Sequence, residues 1–297
     1  MINKIQNSFS IQDLEILSGI KAHTIRIWEK RYGLLNPKRL NRNIRVYNLS
    51  DLQKILNVSL LLNFKYKISE LSKLTDTELA KTAKSISLEK LSNNYHINSL
   101  IVSMFSYDDQ LFEATYINQT ETLSFAEIFI QTYVPILNHI GFLWQTNGIR
   151  PAHEHFISNL IYQKILLNIA RLPDTQIDSS QVNVLFLHDG EIHELGLLFH
   201  MYLLKLSGRR TVYLGRDIPT EDLFSINSQF HNINWICSFV INRTEEEKNK
   251  FVTEIERLLE HNKNTFSVIG KTWSNYSTIN FKDRITFHEG FEQLKIK

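Results

Sequence analysis

The sequence predicts a multidomain chain: a winged helix-turn-helix, then a helical bundle, then an α/β Rossmann-like (flavodoxin-like) parallel-sheet domain. Three observations carry this. Residues 1–75 hold 13 Lys+Arg against 5 Asp+Glu, a net +8, while residues 76–297 hold 20 against 26, a net −6. Residues 76–175 are poor in Gly and Pro and read as helix throughout. From residue 181 short apolar runs alternate with helical stretches, the pattern of a parallel sheet covered by helices. At 297 residues the chain has room for two or three domains. The division is therefore 1–75, 76–175 and 181–297, with 171–181 as linker.

Composition removes several classes. With 43% hydrophobic and 22% charged residues the chain is ordinary globular material. No apolar run approaches the roughly 20 residues of a spanning helix. The opening MINKIQNSFSIQDLEI lacks the apolar stretch of a secretory leader. The one cysteine, Cys237, excludes an internal disulfide framework and a Cys-rich zinc site. A reduced cytoplasmic setting without a membrane partner is expected.

The basic head comes first. Ser10 is placed to cap a helix with Asp13 three residues on. Ile11, Leu14 and Leu17 form its apolar face, and Gly19 breaks it. A second helix starts near Lys21, with Ile25 and Trp28 facing the core. Its other side offers His23, Thr24, Arg26, Lys30 and Arg31, as a major-groove reader requires. Pro37 and Asn41-Arg42-Asn43 suit a hairpin lined by Arg39, Arg42 and Arg45, and Ser50 is expected to cap the next helix. A basic hairpin beside a recognition helix is a wing whose arginines can meet phosphates. Arg26 is the candidate base reader, since Arg is the commonest reader of guanine. Tyr47 either packs the wing or touches a phosphate.

These residues, TIRIWEKRYGLLNPKR followed by RVYNLSDL, resemble the DNA-binding domain of MerR-family transcriptional regulators over roughly residues 8–75. The resemblance implies promoter double-stranded DNA as partner, a homo-oligomer (dimer or tetramer), and RNA polymerase as a further partner. The family's metal sensors carry cysteines after a long dimerisation helix. No cysteine follows residue 75 until Cys237, in an expected buried strand, so a heavy-metal sensor is not expected.

The helical middle adds Trp144, followed after nine residues by Glu154-His155. Trp-x9-Glu-His resembles the helical cap of cobalamin-binding MerR-type regulators, some of them light-responsive. The resemblance implies that the indole covers the upper face of the cobalt, with Glu154 and His155 on the same side. His153 joins these two in sequence, but adjacent helical positions diverge and make poor joint metal ligands.

In the tail, VNVLFL, RTVYLG, INWICSFV and TFSVIG are the expected strands. HELGLLFHMYLLKLSG is the helix between the first pair, closed by Gly208. The loop before it carries Glu191-x-His193-x-x-Gly196, and open parallel sheets bind ligands at such strand ends. The loop resembles the cobalamin motif in which the histidine is the lower cobalt ligand. Glu191 stands where the family has Asp, and Gly196 lets the helix approach the nucleotide tail. Forty-one residues separate Gly196 from Ser238, which opens Ser238-Phe239-Val240, similar to the family's Ser-x-Leu beside the nucleotide base. Gly270 matches the first of a glycine pair, but Lys271 replaces the second, and Gln145 stands where some light-responsive members carry histidine.

The expected protein is thus a DNA-binding regulator, a repressor, controlled by adenosylcobalamin or methylcobalamin between bundle and α/β domain. His193 is its cobalt ligand. Repression is preferred because the pattern shows no long antiparallel dimerisation helix. One alternative is a regulator whose cobalamin domain has lost the cofactor and acts through protein partners. An enzyme is not expected, since no residues remain for the substrate domain that corrinoid enzymes require.

Overall fold

A computed structural model describes residues 8–40, 44–90, 93–145, 149–173, 178–273, 276 and 283–291. The chain divides into two compact units, 1–161 and 162–297.

The first unit opens with α1 (Ile11–Ser18) and α2 (Ala22–Tyr32). Ser10 and Asp13 form the reciprocal cap, and Gly19 ends α1 in the left-handed region at φ 72°. No side chain of Lys21 caps α2. Instead Glu15 reaches across, accepting from the Ala22 amide at 2.9 Å and from Lys21 Nζ at 2.9 Å. Strands β1 (Lys38–Leu40) and β2 (Ile44–Val46) pair antiparallel, with Arg39 opposite Arg45. The wing gains an edge from Phe9, whose amide and carbonyl bond Tyr47 at 2.8 and 2.9 Å. Helix α3 (Leu49–Asn63) is capped by Asn48 with Asp51, not by Ser50. Asn48 sits in extended backbone one residue before the helix, which is where a cap must lie, whereas Ser50 already lies inside it. Trp28, expected in the core, is only half-buried, while Ile25, Leu34 and Leu35 are buried.

After the short α4 (Ile68–Leu71), helices α5 (Asp76–Lys90), α6 (Asn93–Ser106) and α7 (Asp109–Thr120) follow. Helix α8 (Phe125–Ile128) widens through a π turn (Phe129–Tyr133) into α9 (Val134–Gln145). The wide turn falls directly before Pro135, which has no amide to donate, so the ladder is already interrupted there. Helix α10 (Pro151–Ala170) closes the run. Contacts cross residue 75: Phe9 meets Phe105 of α6 edge-on at 4.7 Å, and Asn98 of α6 donates to the Leu56 carbonyl of α3.

In the second unit β3 (Asp178–His188), β4 (Arg209–Ile218), β5 (Ile233–Ser238), β6 (Thr265–Ile269) and β7 (Ile285–His288) are all parallel, in the order β4-β3-β5-β6-β7. Helices α11 (Leu195–Leu206), α12 (Thr220–Asn227) and α13 (Glu245–Leu258) connect β3 to β4, β4 to β5 and β5 to β6. Val184, Trp235 and Phe266 stand in register across neighbouring strands and pack with Phe251 and Ile255 of α13. Cys237 lies in that core, and burial pushes its thiol well above the ordinary range. β3 begins inside the expected linker, because Asp178 pairs with Arg209 at the start of β4.

Candidate functional site

The first candidate surface is on α2. His23, Arg26, Ile27 and Lys30 recur at i, i+3, i+4 and i+7 and are all exposed, forming one stripe along the helix. Thr24 flanks it half-buried, and Arg31 is exposed with its guanidinium 5.4 Å from the Tyr32 ring. Arg39 is exposed on β1, and Arg42 lies outside the described residues.

Two expected contacts change role. Tyr47 is fully buried, with its hydroxyl donating to Glu29 Oε2 at 3.1 Å, so it packs the wing and is removed from the DNA-facing set. Burial and the Glu29 carboxylate push its phenol far above the ordinary range. Arg45 is committed to the same carboxylate, with Nε at 3.0 and 3.2 Å from its two oxygens. Glu29 therefore ties the recognition helix to the wing, a role that a lone acidic residue on a basic helix does not announce. Ile27 was also missed. It is 53% exposed, and an apolar side chain there can meet a thymine methyl.

The second candidate site lies at the carboxyl ends of β3 and β5, where the chain reverses direction across the sheet. Glu191, in the loop after β3, has no exposed surface, yet both of its oxygens are engaged. Oε1 accepts from the amides of Ile192 and His193 at 3.0 and 3.1 Å and lies 2.6 Å from His193 Nδ1. Oε2 accepts from the amides of Val240 and Ile241 in the loop after β5, at 2.8 and 2.9 Å. Burial alone would raise the Glu191 pKa. The bonds from the His193 ring and from the Ile241, His193 and Val240 amides overcome it and hold the carboxyl at about 2.

One buried anion thus pins both switch-point loops and the ring of His193, whose side chain remains 41% exposed. With Nδ1 bonded to Glu191, a metal held by this ring would be met by Nε2.

A cavity of about 310 Å³ adjoins that ring. It brings together His193, Gly196, Ser238, Val240 and Gly270, which the sequence places on three separate segments. A side-chain carbon on Gly270 would stand 2.6 Å from the Phe239 carbonyl oxygen, so only glycine fits there. Lys271 lines the cavity and is exposed. Residues 289–291 also line it, a contribution with no signal in the sequence, because β7 before them was not expected.

The cap residues lie in the first unit. On α10 Glu154 is half-buried and His155 exposed. Trp144 and Gln145 belong to α9, and their side chains lie outside the described residues. His153 is buried instead, stacked on Tyr107 at 5.0 Å, with Nδ1 accepting from the Arg150 amide.

A basic helix-turn-helix with a wing and an α/β unit with a histidine-bearing switch-point loop together define a DNA-binding regulator with a ligand-binding body. Residues 9–78 match the MerR HTH family regulatory protein profile, so the head is a MerR-type helix-turn-helix. The chain is 23% identical over 265 residues to the HTH-type transcriptional repressor CarH of Myxococcus xanthus, covering 86% of each. It is 26% identical over 240 residues to the repressor CarA of the same organism, covering 80% of this chain and 78% of CarA. These curated relatives are transcriptional regulators, not enzymes. Among solved structures, the monomethylamine corrinoid protein of Methanosarcina barkeri superposes with a TM-score of 0.55 at 12% identity. That match covers 67% of this chain and 94% of the corrinoid protein, and it shows a shared fold. Among the described residues no helix is long and apolar enough to cross a membrane.

Proposed function

We propose that this protein is a transcriptional repressor whose hold on promoter DNA is set by a cobalamin. It is read as three domains, 1–75, 76–175 and 181–297. The observation that carries the reading is the Glu191 clamp. A buried carboxylate fixes the His193 ring by Nδ1 at a parallel-sheet switch point, beside a cavity floored by glycine. Likeness to CarH and CarA over most of the chain supports it.

The residues present fit the group. His193 would be the lower cobalt ligand through Nε2, and Glu191 keeps the proton on Nδ1. Gly196, Ser238, Val240 and Gly270 would line the space for the nucleotide tail, and Trp144, Glu154 and His155 are read as further cofactor contacts. When bound, adenosylcobalamin or methylcobalamin would supply a cobalt centre able to exchange a ligand. Arg26 reads a base edge, with Ile27 beside it. His23, Thr24, Lys30, Arg31, Arg39 and Arg42 supply backbone and flanking contacts. The short recognition helix makes too few contacts alone, so a dimer or tetramer binds DNA, with RNA polymerase as a further partner. The cytoplasm, where promoter DNA is found, is its place of action.

The test is absorbance and DNA affinity of the full chain with added cobalamin. Wild-type protein should give a histidine-ligated spectrum and a cofactor-dependent change in promoter affinity. His193→Ala should lose both. Wild-type protein whose spectrum stays that of free cobalamin would overturn the proposal.

A further inference from the structure

The cavity beside His193 already holds an aromatic ring. Phe291, three residues past β7, lies over Gly196 on the first turn of α11. A side-chain carbon placed on Gly196 would stand 2.6 Å from Phe291 Cε2 and 3.2 Å from Cδ2. The first-turn glycine thus makes room for a planar group, and in this chain the group is Phe291. The ring is only half-buried, so it stands at the margin of the cavity. With the ring in place the cavity measures about 310 Å³, at the lower end for organic ligands.

A second observation points to a ligand. One turn along α11, His200 is 98% buried, and its ring tilts against Phe291 at 5.5 Å. Its Nδ1 is buried without a hydrogen-bond partner. Native interiors seldom leave such an atom unpaired. A hydrocarbon ring cannot satisfy it, whereas a base or a ribose hydroxyl in the same place could.

We infer that Phe291 is a stopper in the nucleotide-tail space and sets which corrinoid the site accepts. The inference rests on the cobalamin reading above. A complete cobalamin must displace the ring to seat its tail between Gly196 and His200. A tail-less corrinoid needs only His193 and leaves the ring where it is. The apparent affinity for cobalamin is reduced by the fraction of molecules whose slot is open, while that for the tail-less molecule is not.

The experiment titrates the full-length protein with cobalamin and with cobinamide, which lacks the nucleotide, following absorbance. Phe291→Ala is compared with wild type, and Phe291→Leu serves where the alanine variant folds poorly. If the ring fills the slot nine-tenths of the time, Phe291→Ala tightens cobalamin about tenfold. Its cobinamide affinity should stay within about twofold of wild type by the same reasoning.

Weaker cobalamin binding would make Phe291 a wall that grips the tail and would overturn the inference. Equal changes for both corrinoids would overturn it as well. If no variant binds either corrinoid, the cobalamin reading falls and the inference with it.

A cofactor-free measurement separates the two failures. Gly196→Ala should lower the melting temperature in the wild-type background and much less in Phe291→Ala. Equal losses in both backgrounds would remove the contact itself, whatever the corrinoids do.

Discussion

Glu191→Gln tests the clamp at its centre. The substitution preserves size and burial but replaces one acceptor oxygen with an amide donor. Whichever way the amide turns, its hydrogens meet backbone amides: those of Ile192 and His193 on one side, or Val240 and Ile241 on the other. Wild-type Glu191 titrates near 2 in the folded chain against an ordinary 4.5. That difference corresponds to about 3 kcal/mol of stabilisation at neutral pH. The sign follows from the depressed folded value. The contribution is complete above pH 4.5 and is lost as pH falls from there towards 2. Glu191→Gln should therefore cost about 3 kcal/mol at pH 7, and the gap to wild type should narrow below pH 4.5.

Equilibrium urea unfolding checks this, read by the fluorescence of Trp235 and Trp273, both buried in the α/β unit. A gap under about 1 kcal/mol at pH 7, the worth of a single ordinary hydrogen bond, would refute the clamp. So would a gap that does not shrink on acidification.

Other outcomes follow from the same structure. Gly270→Ala forces a methyl to within 2.6 Å of the Phe239 carbonyl oxygen and should cost about 1–3 kcal/mol by thermal melting; an unchanged melt would show that the loop yields freely. Glu29→Ala strips Arg45 and the buried Tyr47 hydroxyl of their acceptor, and should destabilise the head by about 1–3 kcal/mol. It should also weaken operator and random duplex alike in fluorescence anisotropy. Arg26→Ala should instead narrow the difference between operator and random duplex, and equal loss on both would remove it as base reader. Burial, with His288 nearby, holds His200 at about 4. The unfolded chain therefore takes up a proton below about pH 6.5 that the folded chain refuses, and stability falls between pH 6.5 and 4. His200→Leu should flatten that part of the urea-midpoint profile, and an unaltered profile would count against the neutral ring.

The fold was legible where local chemistry and tertiary demand agree. The cap at Ser10 and the stop at Gly19 are decided by the residues themselves, and so they appear as read. The α/β alternation was legible because buried strands such as Val182–Leu187 must be almost wholly apolar. β7 was missed for the converse reason. It has four residues, Ile285-Thr286-Phe287-His288, and only pairing with β6 makes it a strand. The first residues of β3 were missed too, since Asp178 joins the sheet through its amide bond to the Gly208 carbonyl and an ion pair with Arg209, not through apolar burial.

The site was legible to the extent that its chemistry sits in single residues. A glycine needed for close approach and a histidine two residues from a carboxylate can be read from spacing. What spacing cannot show is which groups are already occupied. Arg45 looks like a phosphate contact in a basic hairpin and Tyr47 like either a packing residue or a phosphate contact, and only the fold reveals that both are bound to Glu29, sixteen and eighteen residues earlier. Gly196 likewise reads as room for a nucleotide tail, and spacing does not show that the chain returns nearly a hundred residues later to set Phe291 over it. Both cases have one cause. A polar or small residue advertises what it could bind, but long-range packing decides what it does bind, and that information is spread over segments with no local pattern. The Glu191 clamp is the same effect in a favourable direction. Its motif names the bond to His193, while the two amides from the loop after β5 make the carboxylate a fixed anchor. Without them, a buried charge at this position would be expelled or protonated, and the His193 ring would lose its orientation.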